Sequence, residues 1–196
     1  MNTQLLTVIF LIMVTFTVSE TSAGDAKIAP YTALLSDGHF ELRQYPSLVL
    51  VSVPATHSER NLAFRKLFSY ISGQNSDKKK IAMTTPVFMN YSEDEMNRMA
   101  FVMPQSMALA STPLADDSSV SVLETEAMTY ATVRFNGRMT QKRIKKYKQR
   151  LLEWISQKGW KRLNEIKTAG YNAPSTLPVF RRNEILIAVE APESLQ

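Results

Sequence analysis

The side chains that most often carry enzyme chemistry are sparse in this chain of 196 residues. It has no cysteine, and its two histidines, His39 and His57, lie apart in sequence. Disulfides, thiolate metal sites and cysteine nucleophiles are therefore excluded, and a nucleophile–base pair is difficult to build. The glycine, serine and histidine patterns of hydrolases, zinc proteases and nucleotide-binding proteins do not occur. We therefore predict a protein that is not an enzyme and has no metal site.

Residues 78–88, KKKIAMTTPVF, are a candidate for a binding surface. Pro86 has a fixed φ, lacks a backbone donor and favours an extended conformation at Thr85. Met83 is a flexible, polarisable side chain that suits an irregular apolar surface. The pattern predicts a stiff apolar corner that follows a cationic loop. Such a corner is either part of the core or one wall of a pocket.

A first helix is predicted over about residues 56–71. Thr56 and Glu59 have the spacing of a capping box at its start. Four apolar residues follow at helical spacing on one face: Phe64, Leu67, Phe68 and Ile71. The two phenylalanines either cover a sheet or contact a flat ligand.

A second helix, predicted over about residues 140–157, has an apolar side and a basic side. The apolar side consists of Ile144, Tyr147, Leu151, Trp154 and Ile155. Six of nine consecutive residues are basic and fall on the remaining arc: Lys142, Arg143, Lys145, Lys146, Lys148 and Arg150. This arc is either a solvated helix face or a surface for anionic membrane, nucleic acid or an acidic protein.

The remaining pattern predicts mostly strands. They are expected at about residues 31–35, 40–45, 48–53, 80–90, 99–103, 120–124, 129–135, 163–168 and 183–190, with a turn over 91–97. Strands, a helix and two strands are followed by the same order again. We therefore predict an α+β domain with two pseudo-symmetric halves, in which both helices pack on a curved, mostly antiparallel sheet.

The N-terminal residues have the character of an export signal. Residues 5–18 form an apolar run that is short for a membrane span but suits a signal peptide, and small residues at 21–23 offer a cleavage site. An uncleaved anchor and a buried helix are the alternatives. We predict a signal peptide over 1–23, a linker over 24–30, one domain over 31–190 and a tail over 191–196. The location would be periplasmic or secreted.

Five short segments match a known family in their order and spacing. They are residues 40–45 (FELRQY), 70–73 (YISG), 81–87 (IAMTTPV), 169–174 (AGYNAP) and 182–185 (RNEI). With these segments the chain resembles the SOUL family of haem-binding proteins from about residue 31 to residue 189. The resemblance implies a distorted, mostly antiparallel β-barrel that is flanked by two helices and built from two similar halves.

The resemblance also implies non-enzymatic binding of haem or a related tetrapyrrole through an apolar surface. Residue type and proximity to the matching segments suggest four contacts to the ring and three cations that pair with the propionates. These seven residues are Phe64, Leu67, Phe68 and Met83, and Lys80, Arg181 and Arg182. Nucleic acid is not an expected partner.

The chain departs from some family members at a position that can ligate haem iron. Some members that ligate haem iron have a histidine at the position of Gln44, and an amide is a poor axial ligand. Met83 and Tyr45 are the remaining candidates, although packing is the favoured role for each. The alternative function is a cofactor-free interaction module whose basic second helix binds anionic lipid or an acidic protein.

Overall fold

The computed structural model describes residues 26–92 and 95–190. Two α-helices and one large antiparallel sheet of nine strands make up the fold, so the predicted α+β class is confirmed. The predicted signal peptide and C-terminal tail lie outside the described residues. Within the described ranges, no helix is long and apolar enough to cross a bilayer.

Most helices and strands follow one another with short connections. The longest loop lies between the seventh and eighth strands, and two further long loops follow the first helix and precede the last strand. In chain order they are β1 (Lys27–Ile28), β2 (Thr32–Asp37), β3 (Phe40–Tyr45), β4 (Val49–Pro54), α1 (Arg60–Ile71), β5 (Thr84–Thr85), β6 (Val87–Ser92), β7 (Glu95–Val102), β8 (Ser121–Glu124), β9 (Met128–Asn136), α2 (Gln141–Gln157), β10 (Lys161–Gly170) and β11 (Arg182–Glu190). Two single turns of 3-10 helix, Leu109–Ser111 and Pro178–Phe180, lie in the loops before β8 and β11.

The large sheet has the order β2-β3-β9-β11-β10-β6-β7-β4-β8, and all its neighbouring strands are antiparallel. Its edge strands, β2 and β8, do not pair with each other. The sheet is therefore open, and the closed barrel that the resemblance implied is not confirmed. The short strands β1 and β5 form a separate parallel pair.

The strand order is the same when the two halves of the chain are exchanged. If β3, β4, β6 and β7 are exchanged with β8, β9, β10 and β11, respectively, the sheet keeps the same strand order but in the opposite direction. Strand β2 has no counterpart in this exchange and is an additional strand at one edge. The exchange also relates α1 to α2. The halves interlock, because β4 pairs with β8 and β9 pairs with β3.

Apolar side chains are buried on both faces of the sheet. Both helices cover one face, where Leu67 of α1 and Leu151 of α2 join a cluster with Ile185 and Ile187 of β11. The other face has a smaller cluster that includes Leu186. Successive residues of β11 thus alternate between two buried faces, as expected for a central strand.

The two helices end where the sequence predicts, but α1 begins later. Only half of the predicted capping box forms: the Thr56 amide donates to the Glu59 carboxylate at 2.9 Å, and the helix begins at Arg60. At the start of α2, the Thr140 hydroxyl accepts a bond from the Arg143 amide at 3.4 Å, which is the expected N-cap contact.

Two strand boundaries differ from the prediction. The strand predicted over residues 80–90 is divided at Pro86 into β5, which pairs with β1, and β6, which belongs to the large sheet. Residues 91–97, predicted as a turn, belong largely to β6 and β7, because Tyr91 and Met96 are buried and hold both strands to the core. Part of the predicted linker is also folded: the Ala29 amide donates to the Thr85 carbonyl at 2.6 Å, next to the β1–β5 pair.

Candidate functional site

A groove lies where β1, α1, the segment around β5 and the loop between β10 and β11 meet. Its volume is about 710 Å³, which falls within the range of ~300–1,000 Å³ that is typical of small-molecule sites. The lining combines apolar side chains with two arginines. It includes Ile28, Phe64, Phe68, Met83, Val87, Arg134, Tyr171, Phe180 and Arg182.

The aromatic side of the groove comes from α1. Phe64 and Phe68, one turn apart, stack with ring centroids 6.1 Å apart and an interplanar angle of 13°. Phe64 also packs edge-on against Phe101 of the sheet, with centroids 5.2 Å apart, whereas Phe68 is 51% exposed. The pair therefore forms a flat apolar surface that is anchored at one end and open at the other.

The predicted apolar corner forms the adjoining wall. Met83 lines the groove and also packs against the core. The next residue, Thr84, is buried, and its hydroxyl donates to the Val102 carbonyl at 2.5 Å. The peptide bond between Thr85 and Pro86 is cis. The corner thus serves both as core and as pocket wall, which were the two alternatives that the sequence left open.

The loop between β10 and β11 forms a third wall, and Arg181 braces it from within. The Arg181 guanidinium donates to the Thr176 carbonyl at 2.8 Å and to the Pro174 carbonyl. The Asn172 side chain accepts a bond from the Arg182 amide at 2.6 Å. These bonds connect both ends of the loop and fix its conformation.

A buried ion network centred on Glu184 adjoins the groove. Its carboxylate accepts two bonds from Arg43 (2.6 and 3.1 Å), one from Arg182 Nε (2.9 Å) and one from the Tyr171 hydroxyl (2.8 Å). The Glu184 side chain is fully buried and Arg43 nearly so. Burial alone would raise the pKa of Glu184, but the two guanidiniums outweigh it and hold the pKa below its ordinary value. Glu184 is therefore ionised, and it fixes the position of Arg182.

Two tyrosine rings cover the guanidiniums of this network. Arg43 lies 4.3 Å from the ring centroid of Tyr31, and Arg182 lies 4.0 Å from that of Tyr171, as in cation–π contacts. Burial, with the charge of Glu184 beside it, raises the pKa of Tyr171 well above its ordinary value, so its hydroxyl remains a donor. Three of the five segments that carry the family resemblance meet in this network, which gives those segments a shared structural role.

A second arginine, Arg134 on β9, also lines the groove. Its backbone lies opposite that of Glu184 in the ladder between β9 and β11. Its side chain is exposed, and its guanidinium makes no hydrogen bond or ion pair with any residue in the described ranges. Arg134 is therefore available to an anionic group, whereas Arg182 is already paired.

The structure brings together only part of the predicted contact set. Four of its seven residues line the groove: Phe64, Phe68, Met83 and Arg182. Leu67 is fully buried between α1 and the sheet, because it lies at the centre of the helix face whose edge carries the phenylalanines. Lys80 is exposed outside the lining, and Arg181 braces the loop. Leu67, Lys80 and Arg181 therefore lie outside the lining, and ligand contact by all seven residues stays a prediction.

Sequence reasoning did not name most residues of the lining, among them Tyr171, Phe180, Arg134 and Ile28. Tyr171 lies in a segment that matches the family, and that match was the only signal for it. Phe180 is an aromatic residue in a loop, which is a weak signal on its own. Arg134 and Ile28 carried none, because the first is one charged residue in a strand and the second falls in the predicted linker.

The side chains that commonly ligate haem iron are mostly outside the lining of the groove. His39 and His57 are exposed and lie outside its lining, and Gln44 is also exposed on β3. Tyr45 is buried on the opposite face of that strand, where burial raises its pKa to about 12 and disfavours a phenolate ligand. Met83 is the sulfur donor in the lining. No cluster of three or more metal-binding side chains occurs in the described parts of the chain.

The described residues form an α+β domain with a groove that is lined by apolar side chains and two arginines. A family model described as SOUL heme-binding protein matches residues 26–188, which is most of the chain. The chain therefore belongs to the SOUL haem-binding protein family. No curated protein sequence matches it.

Solved structures with a similar fold come from proteins of distant sequence. The C-terminal domain of EcmrR superposes with a TM-score of 0.61 at 14% identity, over 83% of this chain and 99% of that chain. A protein described as a hydrolase from Listeria innocua superposes with a TM-score of 0.62 at 9% identity, over 78% of this chain and 92% of that chain. At such identities the likeness shows a shared fold and does not extend to function.

Proposed function

We propose that this protein binds haem or another tetrapyrrole in the groove and does not transform it. The observation that carries the proposal is that one groove joins a flat aromatic surface, Phe64 and Phe68, to two guanidiniums, Arg134 and Arg182. A tetrapyrrole has the complementary chemistry, since its macrocycle is flat and apolar and its carboxylates lie at one edge. Arginine and carboxylate form strong charge-assisted hydrogen bonds.

Apolar contact with the macrocycle must supply most of the binding free energy. Burial of 100 Å² of apolar surface contributes about 2.5 kcal/mol. Association costs on the order of 4–15 kcal/mol, so several hundred square ångströms must be covered. Because Phe68 and Phe180 leave the groove open at its rim, we expect a dissociation constant of about micromolar size.

The proposal does not require coordination of iron. Bound haem would supply its own redox and ligand chemistry, while the chain would contribute contact surface and charge. Since no histidine lines the groove, haem and metal-free protoporphyrin should bind with affinities within about threefold of each other. A much tighter affinity for haem would point to ligation by Met83 instead.

Binding without catalysis is supported by the chemistry of the lining. The lining residues in the described ranges include no histidine, cysteine, serine, lysine or carboxylate. The hydroxyl of Tyr171 is engaged by Glu184. Among the described residues, the lining thus offers no general base to a bound ligand, and this arrangement favours a carrier or sensor of the ligand over an enzyme.

Titration with haem and with protoporphyrin tests the proposal. We expect a saturable change in Soret absorbance or porphyrin fluorescence at micromolar ligand, and a weaker affinity for Met83→Ala. The control is Leu114→Ala, since Leu114 is 72% exposed outside the groove and should leave the affinity unchanged. Absence of saturation, or an equal effect of both variants, would reject the groove as the site.

We further propose that the protein is exported to the periplasm or secreted. The apolar run at residues 5–18 and the small residues at 21–23 support export, and both lie outside the described residues. Mass spectrometry of exported protein should show a chain that begins at Gly24. A chain that retains Met1 would support a retained anchor.

The basic side of α2 supports a second candidate function, a cofactor-free module that binds anionic lipid or an acidic protein. Ile144 and Leu151 pack on the sheet, while Lys145 and Lys146 on the outer side are exposed. The double variant Lys145→Gln/Lys146→Gln should weaken vesicle co-sedimentation at low salt. Binding that is absent, or that persists at about 1 M salt, would reject this electrostatic function.

A further inference from the structure

The loop between β10 and β11 has an apolar tip that the groove does not fully use. Leu177, Val179 and Phe180, which we call the apolar tip, are 63%, 64% and 69% exposed. Phe180 lines the groove, but Leu177 and Val179 lie outside its lining. A ligand in the groove would therefore not account for the exposure of Leu177 and Val179. Clustered exposed apolar residues of this kind mark an interaction surface.

The apolar tip is held in its exposed conformation by hydrogen bonds. The Phe180 amide donates to the Leu177 carbonyl at 3.0 Å, which closes the short 3-10 turn. The Asn136 side chain at the end of β9 donates to the Val179 carbonyl at 2.9 Å. Together with the bonds of Arg181, these contacts order the loop before any partner arrives, so docking would cost little conformational entropy.

The two chain stretches that meet at the apolar tip carry positively charged side chains and no acidic ones. Residues 166–183, which include the tip, and residues 127–152 contain no aspartate or glutamate. The bond from Asn136 to the tip joins these two stretches in space. Just beyond Asn136, the exposed side chains of Arg138 and Lys142 lead into α2. An apolar projection thus lies beside a cationic surface.

We propose that the apolar tip docks the protein on an anionic membrane surface. Apolar side chains that enter the interface and cations that face anionic headgroups are the two components of interfacial binding. A second copy of the chain fits less well, because self-association through the tip would bring the same cations face to face. An anionic bilayer complements both the apolar and the cationic parts of this surface.

Docking in this way would turn the mouth of the groove towards the lipid. Phe180 belongs to both surfaces, and Phe68 and Ile28 are exposed in the groove lining. An apolar ligand would then pass between bilayer and groove without crossing bulk water. This consequence rests on the proposed function of the groove, whereas docking of the tip does not depend on it.

Site-specific labelling of the full chain tests the docking. The chain has no cysteine, so Leu177→Cys and Leu114→Cys each offer one position for an environment-sensitive fluorophore. Leu114 is 72% exposed, compared with 63% for Leu177, and lies outside the groove lining, which makes it the matched control. With vesicles of phosphatidylcholine and phosphatidylglycerol, emission at position 177 should rise about twofold and shift to the blue, and that at position 114 should not.

Three results would overturn the docking. Position 177 could show no change, or positions 177 and 114 could respond equally, which would mean that another part of the chain holds the protein to the vesicle. A response at position 177 that depends on protein concentration without vesicles would indicate self-association instead. No porphyrin is present in these measurements, so they fail or succeed independently of the titration of the groove.

A pair of charge variants separates the apolar tip from the basic arc of α2. Arg138→Gln/Lys142→Gln should weaken vesicle binding by about fivefold for each charge removed, if each contributes as a typical surface cation near anionic lipid does. Lys145→Gln/Lys146→Gln removes the same charge farther along the helix and should have the smaller effect. A larger effect of the second pair would assign the contact to the arc and overturn docking by the tip.

Discussion

The two sides of the groove are built in opposite ways. On the aromatic side, Phe68 stacks on Phe64 and is otherwise half exposed, so packing alone holds it. On the charged side, Arg182 is bonded to Glu184, which is itself bonded to buried Arg43. One side can therefore change without disturbing the core, whereas the other is continuous with it.

This difference separates two tasks that a binding site must perform. The exposed aromatic pair provides contact area, and its loss should appear as lost affinity. The ion network provides a fixed position for Arg182 at the cost of burying charge, which is expensive unless every partner is in place. Four predictions test this division, from the largest expected effect to the smallest.

Replacing the central carboxylate should affect stability most. Glu184→Gln removes the counter-charge of Arg182 and the fully buried one of the two carboxylates that pair with Arg43, the other being Glu41, so the free energy of unfolding should fall by about 3–5 kcal/mol. Urea denaturation measures it. The exposed Glu124, which accepts a bond from Ser47, supplies the control Glu124→Gln, with an expected change within about 0.5 kcal/mol. A loss below about 1 kcal/mol for Glu184→Gln would show that the network does not hold the charged side.

Neighbouring residues of α1 should give opposite phenotypes. Leu67→Ala removes a fully buried side chain and should lower the free energy of unfolding by about 3 kcal/mol while leaving porphyrin affinity intact. Phe68→Ala should change stability by less than about 1 kcal/mol and weaken porphyrin binding about tenfold. Denaturation and fluorescence titration of both variants measure the contrast.

The contrast would break if Phe68→Ala lowered stability as much as Leu67→Ala. In that case the aromatic side would be core, and its exposure would have no functional meaning. If both variants bound porphyrin with equal affinity, Phe68 would not contact the ligand, although its position in the fold would be unaffected.

Acid should weaken the charged side before it affects the aromatic side. The pKa of Glu184 is lower in the folded protein than the ordinary glutamate value of about 4.3. Its ionised form therefore stabilises the fold above that value, and this contribution is lost as the pH falls through the folded pKa. The difference in stability between the wild-type protein and Glu184→Gln should be constant near neutrality and shrink below about pH 4. A difference that stays constant to about pH 2 would contradict the assignment.

The smallest effect is expected at the unpaired arginine. Arg134→Gln should weaken porphyrin binding by a few-fold, corresponding to about 1 kcal/mol for an exposed charge pair. Stability should not change, since this guanidinium has no partner in the described ranges. The dimethyl ester of protoporphyrin, which lacks carboxylates, is the control ligand. If Arg134→Gln weakened binding of the ester as much as binding of protoporphyrin, Arg134 would contribute packing contacts and not charge.

Much of the fold was accessible from the sequence because local patterns decide it. The helical spacing of apolar residues located both helices. The start of α1 was missed because the local bonds of Thr56 and Glu59 form a turn ahead of the helix. The strand ends near residue 91 were missed because burial of Tyr91 and Met96 outweighs the polar character of their neighbours.

The site was less accessible, since its residues come from five separate parts of the chain. Residue type identified Phe64, Phe68 and Met83, but no local rule distinguishes Leu67, which faces the sheet, from Phe68, which faces the groove. Arg181 and Arg182 are adjacent, yet only the second begins β11 and joins the network. Such distinctions depend on tertiary contacts that a single sequence does not reveal.

The interlocked halves of the sheet have a consequence for how the protein can be made. Because β4 needs β8 and β9 needs β3, neither half of the chain holds a complete set of partners for its own strands. A ribosome that has released only the first 118 residues has therefore produced a chain whose strand edges await partners that have not yet been synthesised. We expect the domain to fold in one step, after β11 has emerged from the ribosome. If the chain is cut in the loop between β7 and β8, we expect the two fragments to fold only when they are mixed.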